Sequence, residues 1–149
     1  MSVAEIRMSV RVRPTRDPCA VNLDPRTGAL ALTTGDVFDY PTSVVVGSDQ
    51  AVAYDALCAP LVKRALAGYD CTLVAYGQTG SGKTHTMLGE REEEGIVGLA
   101  ARQLLEAAAK SGGDTTVECA FMQLYGTVAS DLLVNNSPAL KIARREGEA

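Results

Sequence analysis

The chemistry of this sequence is concentrated in Gly77, Gln78, Thr79, Gly80, Ser81, Gly82, Lys83 and Thr84. These residues fit the pattern G-x-x-x-x-G-K-[ST] without a gap. The glycines let the backbone turn so that successive N–H groups face inward and donate to phosphate oxygens. A helix starting near Lys83 would add the partial positive charge of its N-terminus to the same spot. Lys83 can reach β- and γ-phosphates, and the Thr84 hydroxyl is placed to ligate a bridging magnesium ion. The ordinary alternative is a glycine-rich turn that binds nothing. The flanking text argues against it, because a buried-strand pattern precedes the loop and a helix-compatible stretch follows.

The other half of a phosphate-transfer site is missing from these residues. Such a site usually takes an acidic residue from the end of an apolar strand to hold the metal's water shell. The strand-like run Thr116–Tyr125 ends in Gly126-Thr127, and neither Asp-x-x-Gly nor Asn-Lys-x-Asp occurs anywhere. Glu90, Glu92, Glu93 and Glu94 cluster, but a charge run in a loop is ordinarily a solvated one. The residues predict binding without showing how hydrolysis would proceed.

Several elements must position that loop. Met8, Val10 and Val12 alternate with Ser9, Arg11 and Arg13, which predicts a strand with one buried side, stopped by Pro14. Between Asp17 and Tyr40, Pro18, Pro25, Gly28 and Gly35 punctuate short apolar pieces that read as hairpin-like strands. A helix is expected from a cap at Ser48 or Asp49, with Val52, Leu57, Leu61, Ala65 and Leu66 on its apolar face and Gly68 ending it. Cys71–Tyr76 reads as a buried strand feeding the loop. Residues 83–88 start a helix, 89–94 form a charged break, and 96–110 form a second helix stopped by Gly112-Gly113. Strands are predicted at 116–125, 131–134 and 139–143. The order of these elements implies an α/β sandwich.

Composition narrows the function classes. The chain has 149 residues, 46% hydrophobic and 21% charged, with net charge −4. This suits one soluble domain with a core, and an acidic surface repels nucleic acid and anionic membrane. The four cysteines are far apart and a single histidine accompanies them, so a zinc cluster is not expected. Cys58, Cys71 and Cys119 fall in apolar text, where free cysteine packs as a small hydrophobe. No signal-peptide pattern opens the chain, and no apolar run approaches the ~20 residues a membrane span needs, so no membrane insertion and a reducing, cytoplasmic setting are expected.

The stretch Ala75 to Met87 resembles the P-loop of the kinesin motor family almost letter for letter. Val10-Arg11-Val12-Arg13-Pro14 resembles that family's first strand, and Phe38-Asp39 the start of its next element. Gln50, Val52 and Tyr54 are similar to the following helix, and Gly68-Tyr69-Asp70 to the approach to the loop. Gly95-Ile96-Val97 and Leu124-Tyr125…Asp131-Leu132-Leu133 continue the match, which runs from about Val10 to Leu140. The resemblance implies a P-loop NTPase sandwich with a central, mostly parallel sheet, incomplete at its C-terminal side. It implies ATP and magnesium as ligands, with Arg11, Arg13, Pro14 and His85 around the adenine and ribose. It further implies a microtubule partner, gripped by parts of an intact motor not present here, and a cytoskeletal location. On residues alone, Arg11 and Arg13 would be a solvated strand face and His85 a surface histidine.

By the same resemblance, residues 1–149 are the N-terminal part of a motor domain. The family's serine-rich first switch and its Asp-Leu-Ala-Gly second switch do not occur in them. Gln123-Leu124-Tyr125-Gly126-Thr127 stands where the family usually reads Glu-Ile-Tyr-Asn-Glu, and Gly98 stands where proline is usual. A glycine at 126 is expected to weaken or bend a strand end. The leading expectation is an ATP-binding portion of a microtubule motor with little turnover and low solubility on its own. A degenerate module that binds nucleotide or a partner without catalysis is the alternative. A small P-loop kinase is a third reading, for which Arg144-Arg145 is the one late basic pair.

Overall fold

The computed structural model describes residues 5–14, 20–24, 29–38, 43–47, 49–113 and 115–141. The predicted first strand forms as β1 (Ser9–Val12). Its partner is β5 (Ser43–Val46), which the sequence reading did not mark, and the two run parallel with Val10 opposite Val44. Between them, β2 (Val21–Leu23), β3 (Leu30–Leu32) and β4 (Val37–Phe38) form an antiparallel meander with Leu30 buried. The expected hairpin-like strands are therefore present. Asp17, Pro18, Pro25, Gly28, Asp39 and Tyr40 lie outside the described residues.

The long helix expected after Asp49 is two helices, α1 (Gln50–Leu57) and α2 (Ala59–Leu66). Pro60 explains the break, since it has no N–H to give the Ala56 carbonyl and its ring crowds the preceding turn. The chain restarts one turn on, with Leu61 and Val62 both donating to the Cys58 carbonyl at 2.8 and 3.0 Å. Asp49 caps α1 by accepting from the Val52 N–H at 3.0 Å. Ser48, the other candidate cap, lies outside the described residues. Gly68 follows α2 at φ +91°, the left-handed conformation expected of it.

Residues 71–77 carry the main correction. The expected strand before the loop has no ladder partner among the described residues, and Tyr76 is 99% exposed. Its accessibility still alternates as a strand's would: Leu73, Ala75 and Gly77 are half-buried, while Thr72, Val74 and Tyr76 are open. Leu73 packs against the core of Cys58, Val62 and Ile96, with Tyr54, Leu57, Ala100 and Leu104 around it. One side of the segment is thus covered by helices, and the other faces solvent.

Beyond the loop come α3 (Lys83–Leu88), β6 (Gly89–Glu90), β7 (Glu93–Glu94) and α4 (Ile96–Lys110). The charged break is a tight hairpin in which Gly89 pairs with Glu94. A Cβ on Gly95 would lie 2.4 Å from the Gly89 nitrogen and the Leu88 carbonyl carbon, so only glycine lets these backbones cross. The helix 96–110 matches its expected bounds.

The strand expected at 116–125 is shorter. Only β8 (Met122–Tyr125) is paired, to β9 (Val128–Asp131), with Tyr125 opposite Val128. Gly126 does not weaken the strand end. At φ +60° it is the first central residue of a two-residue hairpin turn, where a left-handed residue suits the twist of the strands. Residues 131–134 run on from the end of β9 into a turn instead of a strand, and of 139–143 a single bridge, Ala129 to Leu140, is described.

Candidate nucleotide-binding site

The loop closes through its glycines. Gly80 and Gly82 sit at φ +79° and +100°, a conformation that costs a side-chain-bearing residue about 1 kcal/mol or more. At Gly77 a Cβ would lie 2.6 Å from the Ser81 Oγ and 3.2 Å from its Cβ, so a side chain here would force the serine aside. The Ser81 N–H donates to the Gln78 carbonyl at 3.2 Å across the turn, and Thr86 donates to the Gly82 carbonyl at 2.9 Å to begin α3.

Lys83, the first residue of α3, folds back over the loop. Its Nζ donates to the carbonyls of Gly77 and Gln78 at 2.8 and 2.9 Å. The ammonium therefore lies over the concave side of the turn, where a phosphate oxygen could take the place of either carbonyl. Thr84 follows it and is exposed, as are Gln78, Thr79 and Ser81. A bare, positively charged cradle of this kind fits a phosphate chain.

Two arginines reach the loop and its helix from β1. Arg13 donates to the Gly80 carbonyl at 2.7 Å, pinning the tip of the turn. Arg11 is half-buried, and it donates to Gln50 Oε1 at 2.7 Å, to Thr86 Oγ1 at 3.0 Å and to the Gly47 carbonyl at 3.4 Å. Arg11 is therefore not a solvated strand face, and Arg13, though exposed, is bonded to the loop. His85 is held from both sides, by the Gln50 amide and by Glu93, whose Oε2 lies 3.5 Å from the His85 Nε2. Pro14 stands exposed directly after Arg13. The fold thus gathers Arg11 and Arg13 from β1 and its end, and His85 from α3, about the loop.

Gln50, Thr86 and Gly47 were missed by sequence reasoning. Gln50 had one signal, a polar residue in the first turn of an amphipathic helix directly after its cap. The Gly47 carbonyl had none, because a backbone acceptor leaves no trace in side-chain type.

A shallow cavity of about 510 Å³ is lined by Asp49, Gln50, Ala51, Glu92, Glu93, Glu94 and Leu99. Its carboxylates make it unsuitable for a phosphate chain. Behind the site, burial pushes the Cys58 thiol and the Tyr54 phenol above their ordinary values, as expected for acids packed in an apolar core. Tyr54 also donates its hydroxyl proton to Gln103 Oε1 on α4. Among the described residues, no group of His, Cys, Asp or Glu side chains is arranged to hold a metal ion. No helix of the described residues is long and apolar enough to cross a membrane.

The family model of the kinesin motor domain matches residues 27–149. The chain belongs to the kinesin motor domain family. Kinesin-like protein bimC of Emericella nidulans is 42% identical over 106 residues, which cover 66% of this chain and 9% of the relative. Kinesin-like protein Klp68D of Drosophila melanogaster is 31% identical over 150 residues, covering 93% of this chain and 19% of the relative. The chain therefore spans between 9% and 19% of the length of these two kinesins.

Among solved structures, the Drosophila kinesin family member NOD, in complex with divalent manganese and ADP, superposes with a TM-score of 0.73 at 25% identity. The superposition covers 97% of this chain and 57% of NOD. A KIF14 dimer with AMP-PNP in complex with a microtubule gives a TM-score of 0.81 at 27% identity, over 97% of this chain and 46% of that one. The α/β fold is accordingly that of the kinesin motor domain, a P-loop NTPase. Among the described residues of this kinesin chain, the parallel sheet is represented by the β1–β5 pair.

Proposed function

We propose that residues 77–84 bind the phosphates of Mg-ATP or Mg-ADP, and that residues 1–149 form the N-terminal part of a kinesin motor domain. The observation that carries this is the loop itself. Its glycines hold it open, Arg13 fixes its tip, and Lys83 Nζ sits over its inner carbonyls at 2.8 and 2.9 Å. Gly77, Gln78, Thr79, Gly80, Ser81 and Gly82 supply backbone N–H groups, and Lys83 supplies the charge. Thr84 would ligate magnesium, and the ion would supply charge neutralisation between the phosphates. Arg11, Arg13, Pro14 and His85 face the nucleoside end. NOD with manganese and ADP is the related example of such a complex.

In the whole motor this site would drive ATP hydrolysis coupled to movement along microtubules, in the cytoplasm and on the cytoskeleton. KIF14 and NOD in complex with microtubules support that partner. Neither switch motif of the family occurs in these 149 residues, so little turnover is expected of them. Titration of the chain with ADP, with and without magnesium, tests the reading. Saturable binding that weakens on chelation is expected. Binding indifferent to magnesium would favour the degenerate module, and no binding would end the nucleotide reading.

A further inference from the structure

A buried amide joins the two nitrogen-bearing side chains on either side of the site. Gln50 is 4% exposed and opens α1, where the Asp49 cap fixes the backbone. Its Oε1 accepts from Arg11 at 2.7 Å. Its Nε2 donates to the His85 carbonyl at 2.5 Å and lies 3.4 Å from the His85 Nδ1. A guanidinium has only donors, so the amide oxygen must face Arg11 and the NH2 group must face α3. An NH2 group is accommodated beside Nδ1 only where that nitrogen keeps its lone pair. The imidazole proton then belongs on Nε2, which lies 3.5 Å from the Glu93 carboxylate.

We propose that Gln50 is a positioning residue of the nucleotide site, holding His85 in the Nε2–H tautomer and Arg11 in place beside it. The role rests on the nucleotide reading above. The relay Arg11–Gln50–His85–Glu93 draws one residue each from β1, α1, α3 and β7. It fixes the edge that the histidine ring presents to a nucleoside; the Thr86 hydroxyl accepts from the same Arg11 Nη1 as Gln50, and the Gly47 carbonyl accepts from its Nε. Phosphate capture depends on the loop backbone and Lys83. Gln50 therefore acts on the nucleoside end alone.

The chain has one histidine, so the imidazole nitrogen signals of the labelled 149-residue protein come from His85 only. At pH ~8.5, where an imidazole is ordinarily neutral, a protonated Nε2 and a lone-pair Nδ1 are expected. Gln50→Met keeps the volume and removes the amide, so the two tautomers should mix. Gln50→Glu can accept but not donate, and should move the proton to Nδ1. Both variants should bind ADP roughly tenfold more weakly, with affinity for inorganic tripolyphosphate unchanged. An Nδ1–H signal in the wild-type chain overturns the proposal without any variant. Variants that keep both the wild-type tautomer and the wild-type ADP affinity overturn it as well. A wild-type chain that binds neither ADP nor tripolyphosphate would instead overturn the nucleotide reading beneath it.

Discussion

The loop at 77–84 and the strand-like segments at 71–76 and 116–125 are opposites in structure. The loop is braced on every side by named bonds, from Arg13 at its tip to Lys83 within it. Residues 71–76 read as a buried strand and 116–125 as an alternating one, yet Val74 is 77%, Tyr76 99% and Tyr125 83% exposed. The difference lies in where each gets its hydrogen bonds. A tight turn and the helix after it satisfy their backbone locally, so a few residue types suffice. A strand needs a second strand, and its own residues do not say which.

The largest expected effect concerns the braced side. Lys83→Ala removes the only ammonium in the loop, and ADP affinity should fall at least about a hundredfold by fluorescence titration, as for loss of a charged phosphate contact. Thermal stability should change little, because the lysine bonds only two carbonyls of a loop whose Gln78 is exposed and whose Gly77 is half-buried. A large drop in melting temperature would mean that the lysine is part of the fold, and the contrast between site and scaffold would blur.

Gly95→Ala tests the scaffold behind the loop. The added Cβ meets backbone at 2.4 Å, which no rotamer change relieves. A loss of about 2–3 kcal/mol in urea unfolding is expected, in the range of overpacked interiors. Gly126→Ala is the matched control in the open region, where no atom lies within 4 Å and only the φ of +60° is strained. It should cost about 1 kcal/mol.

Within the segment 71–76 the comparison can be made residue by residue. Leu73→Ala should cost about 1–2 kcal/mol for the half-buried side chain, while Val74→Ala should stay within roughly 0.5 kcal/mol. Equal costs would show that the outer face is covered too.

The smallest expected effect is on pH dependence. Cys58 and Tyr54 are raised above ordinary values of 9.0 and 10.0, chiefly by burial. A raised pKa means that the native state holds its proton more tightly than the unfolded chain. The stabilisation is full below the unfolded value and is lost as pH climbs through the folded one. Urea midpoints should fall above pH 9.0, and less steeply in Cys58→Ala. Glu5 is shifted the other way, lowered first by Arg7 and then by Arg64. Its contribution is lost as pH falls, but it is fully exposed and solvent screens it.

The sequence by itself determined the loop, its flanking helix 83–88, the helix 96–110 and the family. Each of these rests on local rules of turn conformation, helix period and capping, or on a motif whose spacing is the chemistry. The β8–β9 hairpin is half legible, since Gly126 marks the end of a strand but does not by itself announce the turn that follows. The split at Cys58 is legible in Pro60. Only the tertiary structure decided that β1 pairs with β5, that Arg11 turns to Gln50 instead of to solvent, and that one face of 71–76 stays open. Those outcomes depend on groups far apart in the chain, such as Arg11 and Thr86, brought together by packing. No period or propensity in either partner's own segment encodes that meeting.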